Sequence, residues 1–332
     1  MTPLYHTVIT APPPGVACWC VVTLVHGAFE YSGRYDAAIR TLAEHGVATV
    51  SGDLPGHGRS PGRRGDIEHF DRYVDAVQYF LQIGKQRFGD HLPRVLLGHS
   101  MGGLISVLTA ARQARQNAPE AVPVALQEEP VTAHRTHPTV ATGHVALQAG
   151  IAAAPPKHPV GPVPTVDGLV LTSPAFATAI DISPARLWFA RVLLPLAPRL
   201  YQPNQVQSER LTRNQAVIAA HRVDRLIGRR ITLRWYFAFR QAMGRSLPVA
   251  AAITIPTAVF QAGTDLIVDC AATRVWYERL GSPVKTYREY PGLYHELLNE
   301  PEADKVLQDI VEWLRATFPD GWSRPSYSSP IP

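Results

Sequence analysis

Five residues constrain this chain more than any others. Gly98-His99-Ser100-Met101-Gly102 fits the pattern G-x-S-x-G. The apolar run Arg94–Leu97 precedes it, and a helix-forming stretch, Leu104–Ala111, follows. A chain that turns straight from strand into helix does so sharply, and small residues two places either side of the serine let neighbouring backbones pass closely. The turn lifts the Ser100 hydroxyl above a sheet edge, at the positive end of a helix, where a serine nucleophile belongs.

A strand that feeds a helix recurs along the chain. Cys18–Val25, Val47–Val50, Val95–Leu97, Asp167–Ser173, Ile255–Ala262 and Val284–Tyr290 are short apolar or β-branched runs. Between them, Gly33–His45, Phe70–Phe88, Ala271–Leu280 and Glu302–Thr317 carry helical spacing; Val306, Ile310, Trp313 and Leu314 form one stripe. Repeated switching between the two periods predicts a mostly parallel sheet with helices on both faces. Cys18 and Cys20 are placed on one face of the same strand. With 46% hydrophobic and 18% charged residues among 332, there is ample material for a large core.

Two stretches depart from this rhythm. From Arg112 to Val166 there are nine prolines and no aromatic residue, which reads as a flexible Ala/Pro-rich insertion. Its histidines, His134, His137, His144 and His158, are irregularly spaced with no cysteine or acid interleaved to make a metal site. Residues 174–249, largely helical with internal prolines, interrupt the alternation a second time. The expected organisation is therefore a core from 1–173 and 250–318, an insertion at 112–166 within it, a largely helical stretch at 174–249, and a loose Ser/Pro tail at 319–332. Three cysteines without a C-x-x-C pair exclude a disulfide framework and a cysteine zinc site. No metal or cofactor is expected.

A serine hydroxyl needs a base, and the base needs an orienting acid. Around a nucleophile turn of this kind the chain order is serine, acid, histidine. Asp265 lies in a Gly263-Thr264-Asp265 turn just past Ile255–Ala262 and is preferred as the acid; Asp269 reads as the N-cap of the next helix. His295 is the only histidine C-terminal to Asp265. The backbone N–H groups of Met101, after the nucleophile, and of Ala28, in the loop after Cys18–Val25, are the expected oxyanion donors. Asp53 and His57 read as parts of a Gly/Pro-rich structural turn, and His99 as a packing residue.

With these motifs in order, HGAFEYSGRY, GDLPGHGRS, GHSMGG, a Gly-Thr-Asp turn and a final Tyr-His-Glu, the sequence resembles the monoacylglycerol lipase and lysophospholipase-like serine hydrolases of the α/β-hydrolase fold, a group also called serine aminopeptidase-like. The resemblance spans roughly residues 18–111 and 167–318. It implies a mostly parallel central sheet flanked by helices, a helical cap inserted after the sixth strand, Ser100, Asp265 and His295 as the triad, and Ala28 and Met101 as the oxyanion hole. The family leads into its His-Gly strand with two strands; here only Tyr5–Thr10 is available. No cap motif of the family is recognisable.

The implied activity is hydrolysis of carboxylic esters of single-chain lipids, monoacylglycerols or lysophospholipids. Acyl transfer, amide or peptide cleavage and general ester hydrolysis use the same triad and stand as alternatives; a non-catalytic relative is disfavoured by the full set of Ser, Asp and His. Between Arg186 and Arg245 lie twelve arginines, no lysine and two acids, Glu209 and Asp224. Beside them are two apolar groups, one from Leu187 to Leu196 and one from Leu233 to Phe239. A basic cap with apolar faces suits peripheral contact with an anionic membrane; equally, the apolar groups suit packing on the core. No nucleic-acid module is present. Without a secretory signal or an apolar run long enough to span a bilayer, the expected location is the cytoplasm.

Overall fold

The computed structural model describes residues 5–117, 164–180, 182–320 and 322–324. A short strand β1 (Thr7–Thr10) leads into β2 (Cys20–Val25). Side chains along β2 alternate: Val21 and Val25 join one apolar core, while Cys20, Val22 and Leu24 join another on the opposite face. That period of two divides the molecule into layers.

From β2 the chain runs through α1 (Asp36–Glu44) to β3 (Val47–Gly52), then α2 (Asp71–Phe88), β4 (Arg94–His99) and α3 (Met101–Asn117). β5 (Gly168–Thr172) follows. The cap then interposes α4 (Pro184–Leu193), β6 (Tyr201–Pro203), α5 (Gln215–Val223), β7 (Arg230–Thr232) and α6 (Leu233–Val249). β8 (Thr257–Ala262), α7 (Cys270–Arg279), β9 (Lys285–Tyr290) and α8 (Ala303–Thr317) complete the sheet and its cover. The seven-stranded sheet has the order β1-β3-β2-β4-β5-β8-β9, with β1 alone antiparallel. The inner strands β2, β3, β4, β5 and β8 are buried at every position, because α1 and α8 cover one face and α2, α3 and α7 the other.

Several boundaries differ from the sequence reading. β2 begins at Cys20, so Cys18 precedes the strand rather than sharing its face. A single strand precedes β2 among the described residues, so the cap leaves the sheet after the fifth described strand and not after a sixth. The cap is not wholly helical: β6 and β7 pair as an antiparallel hairpin, too short at three residues each to mark the sequence. α3 continues past Ala111 into the stretch read as an insertion. There the Gln113 amide accepts from the Val166 N–H at 2.6 Å and donates to its carbonyl at 3.1 Å, fastening the two ends of that stretch. The remainder of the insertion reading, residues 118–163 with its histidines, lies outside the described residues. The start of the tail is held, not loose: Arg324 bonds both oxygens of Asp167 at 2.8 Å, and Trp322 sits edge-on to Phe318. Residues 325–332 lie outside the described residues.

Candidate active site

Ser100 stands at the junction of β4 and α3 with φ of 53°, a left-handed conformation that a side-chain-bearing residue adopts only when its surroundings compel it. Its N–H donates to the Thr172 carbonyl at 3.0 Å, and its carbonyl accepts from Gly103 and Ala175. The flanking glycines are required by space. A Cβ on Gly102 would lie 2.0 Å from the Val25 carbonyl oxygen, and one on Gly98 2.5 Å from that of Gly102.

The turn after β9 brings His295 to this serine. Ser100 Oγ and His295 Nε2 are 2.8 Å apart, and His295 Nδ1 lies 2.8 Å from Asp265 Oδ2. Asp265, beyond the end of β8, uses its other oxygen to accept from the N–H groups of Ile267 and Val268, both at 2.9 Å. The carboxylate thus fixes the tautomer: Nδ1 carries the proton and donates it to Asp265, and Nε2 accepts from the serine hydroxyl. Burial opposes the charge of Asp265, but His295 and the two N–H groups outweigh it and hold its pKa below the usual carboxylate value. Burial likewise pulls His295 down, but Asp265, with Glu296 and Glu30 behind it, raises its pKa above the ordinary histidine value.

Ala28, in the loop after β2, lines the same pocket as Ser100, and Met101 follows the serine as the first residue of α3. Among the described residues, neither backbone N–H is taken by another group. Asp269 caps α7, accepting from the Ala271 N–H at 2.8 Å. Asp53 holds the turn it begins, accepting from Ser32 at 2.6 Å and from the Arg59 N–H at 2.7 Å. His57 is buried, with its ring 5.3 Å from that of His26 and 5.7 Å from that of Tyr73. His99 packs its ring 4.7 Å from that of His295, and burial with that neighbouring imidazole pushes its pKa down to about 4, so it stays neutral.

One cluster was not assigned a role from the sequence. Arg34 donates to both oxygens of Glu296 at 2.6 Å and to Glu30 at 2.7 Å. Glu30 also accepts from the Tyr35 hydroxyl at 2.6 Å and the Gly27 N–H at 2.5 Å. The four-residue spacing of Glu30 and Arg34, and an acid directly after His295, are the signals that could have found it.

Residues of the 174–249 stretch and of the core together line a pocket that includes Ser100 and His295. Ile180, Leu187, Tyr236, Phe239, Met243 and Val268 are among its apolar lining, and Glu30, Arg34, Asn204, His221 and Glu296 among its polar lining. The two apolar groups of the cap part company here. Leu233, Trp235 and Phe239 are buried against the core. α4 has no buried residue, and Trp188, Phe189, Val192 and Leu196 are 68%, 58%, 47% and 80% exposed. Among the described residues no helix is long and apolar enough to cross a membrane, and no cluster of His, Cys, Asp or Glu could hold a metal ion.

Comparison with known proteins shows the family and the fold. The family described as Serine aminopeptidase, S33 matches residues 19–126 and 129–302. The chain is 31% identical over 289 residues to phospholipase YtpA of Bacillus subtilis, covering 87% of this chain and 92% of that protein. It is 28% identical to a monoacylglycerol lipase of Mycolicibacterium smegmatis, covering 89% and 87%. Among solved structures, a monoacylglycerol lipase of Paleococcus ferrophilus superposes with a TM-score of 0.69 at 24% identity, over 95% of this chain and 99% of that one. At that identity the likeness speaks to the fold, which is the α/β-hydrolase fold.

Proposed function

The chain belongs to the serine aminopeptidase S33 family of hydrolases, and from that membership we propose that it is a serine hydrolase of single-chain lipid esters, working through an acyl-enzyme on Ser100. The observation that carries the reading is the hydrogen-bonded run Ser100–His295–Asp265 opening onto a largely apolar pocket. Ser100 Oγ attacks the acyl carbonyl while His295 Nε2 takes its proton. The Ala28 and Met101 N–H groups receive the negative charge that grows on the carbonyl oxygen. Asp265 steadies the imidazolium, which then protonates the departing alcohol. Water enters by the reverse sequence and releases the fatty acid. No cofactor enters the scheme.

Monoacylglycerol and lysophospholipid are the substrates that suit the pocket: one acyl chain along Ile180, Leu187, Phe239 and Met243, and a polar head toward Asn204 and His221. Relatives are named for both monoacylglycerol and phospholipid cleavage. An aminopeptidase has to hold a free ammonium group, and the two carboxylates that line the pocket, Glu30 and Glu296, are already engaged by Arg34.

The outward face of α4 supports contact with an anionic membrane. Four large apolar side chains stand in solvent beside Arg186 and Arg191, a combination that suits the lipid interface. In this reading the enzyme works in the cytoplasm, against a membrane surface that delivers its substrate. The test is fatty-acid release from 1-monooleoylglycerol and from lysophosphatidylcholine, native chain against Ser100→Ala. Release abolished in the variant is expected. No release from either, together with no fluorophosphonate labelling of Ser100, would overturn the reading.

A further inference from the structure

We propose that the cap holds the oxyanion hole together, with Gly228, Asp224 and Trp235 acting as positioning residues for the Ala28 N–H; this rests on Ala28 and Met101 being the oxyanion donors.

The residue after Ala28 is Phe29, and its φ is 68°. It is not a glycine, so it stays left-handed only while neighbouring groups keep it there. Those groups come from the cap. The Gly228 N–H donates to the Phe29 carbonyl at 2.7 Å. The Phe29 ring packs on that of Trp235 in α6, centroids 5.0 Å apart. Two residues on, the Tyr31 hydroxyl donates to Asp224 Oδ2 at 2.7 Å. On its other side Ala28 is pinned by the core, because the Gly27 N–H donates to Glu30 at 2.5 Å. Ala28 therefore lies between one residue anchored in the core and one anchored in the cap. Release of the cap contacts lets Phe29 relax toward an ordinary φ. The Ala28–Phe29 peptide then rotates and carries Ala28 Cα with it, which tilts the Gly27–Ala28 peptide, whose N–H is the donor, away from the place where the oxyanion forms.

A cap that merely walls the pocket changes substrate affinity. A cap that positions a donor changes the chemical step, and the two separate experimentally. The substrate is p-nitrophenyl acetate, whose acyl group is too short to use the walls, and the probe is an aliphatic trifluoromethyl ketone, whose adduct with Ser100 carries an oxyanion. Tyr31→Phe deletes only the hydroxyl that meets Asp224. Gly228→Pro deletes the N–H that meets Phe29. Gly228→Ala keeps that N–H, and its Cβ would make only ordinary contact, 3.4 Å from Phe29 Cα. We expect Tyr31→Phe and Gly228→Pro to lower kcat about tenfold with KM little changed, and to weaken the ketone by a similar factor, as a displaced oxyanion donor would. Gly228→Ala should stay near native. Should Gly228→Pro not fold, Tyr31→Phe, an isosteric change outside the core, carries the test alone. Native kcat and native ketone affinity in Tyr31→Phe, or an effect confined to KM, overturns the proposal while the native chain still turns over. A native chain that neither hydrolyses the ester nor accepts a fluorophosphonate at Ser100 overturns the functional reading and this inference with it.

Discussion

Arg34 and Glu296 meet through two parallel bonds of 2.6 Å, although 262 positions separate them in the chain. Their side chains are 9% and 4% exposed. The pair ties the loop after β2 to the turn that carries His295. A guanidinium shared with Glu30 as well leaves little room for substitution. Arg34→Leu would leave two buried carboxylates without their cation, and the expected loss is about 3–5 kcal/mol of unfolding free energy in a urea titration. A loss near zero would mean that water reaches both acids and the cluster is not structural. Burial opposes the Glu296 charge, but Arg34 outweighs it and holds the pKa to about 2. A depressed carboxylate contributes stability that is complete above its ordinary value and fades as pH falls toward the folded one, so this cluster loosens only in strong acid.

The acid limb of kcat/KM reports the base of the free enzyme. His295 must be neutral to act, and its pKa is raised above the ordinary value of 6.5. Activity should therefore rise with pH through a midpoint above that value. Glu296 and Glu30 both push the pKa up. Glu30→Gln should accordingly move the midpoint toward lower pH, in a pH series with a soluble short-chain ester. A shift to higher pH would contradict the assignment of charges around the imidazole.

Asp265→Asn tests the tautomer. Asparagine can still accept from the Ile267 and Val268 N–H groups, so the loop should hold. It presents an N–H₂ to His295 Nδ1 and thereby drives the ring toward the wrong tautomer. The expected drop in kcat is on the order of 10⁴-fold with the fold intact by circular dichroism. Near-native turnover would remove Asp265 from the triad.

Trp188 and Phe189 are more than half exposed, so Trp188→Ser with Phe189→Ser should leave the melting temperature unchanged. Co-sedimentation with phosphatidylglycerol vesicles at low salt should fall at least about tenfold, each ring having contributed transfer free energy at the interface. Undiminished binding would move the membrane contact elsewhere on the cap.

Gly102→Ala is expected to prevent the β4–α3 turn from closing, because the added carbon meets backbone and not a movable side chain. Soluble yield and a thermal melt would register it; a protein as stable as the native one would show that the turn can widen.

Much of this architecture is legible along the chain because parallel sheets write themselves as nearly continuous apolar runs, as in Cys20–Val25, broken only by Thr23, and Val95–Leu97. Ser100 and Asp265 can be read because each follows such a run, and His295 because it is the only histidine after Asp265 and the order is characteristic of the turn. The hairpin of β6 and β7 is invisible, since three residues do not establish a period. Nor does the sequence separate the two apolar groups of the cap. Trp235 and Trp188 look alike in a row of letters, but one donates its indole N–H to Tyr73 at 2.9 Å inside the core and the other faces water. The difference is set by which residues of each helix meet the core, a tertiary fact.

The arginines of the cap do not all point outward. Arg234 bonds Asp66 through its Nε at 2.6 Å, Arg213 bonds Glu300 at 2.6 Å and Arg245 bonds Asp71 at 2.8 Å, each pair joining cap to core. With ten net positive charges between Arg186 and Arg245, the rest of the chain is five charges negative. The cap is in effect the counter-ion of the core. It follows that it cannot be exchanged as an independent module. A chimera carrying a neutral cap would strand Asp66 and Glu300, whose side chains are 2% and 0% exposed, and a successful graft must bring a cation to each.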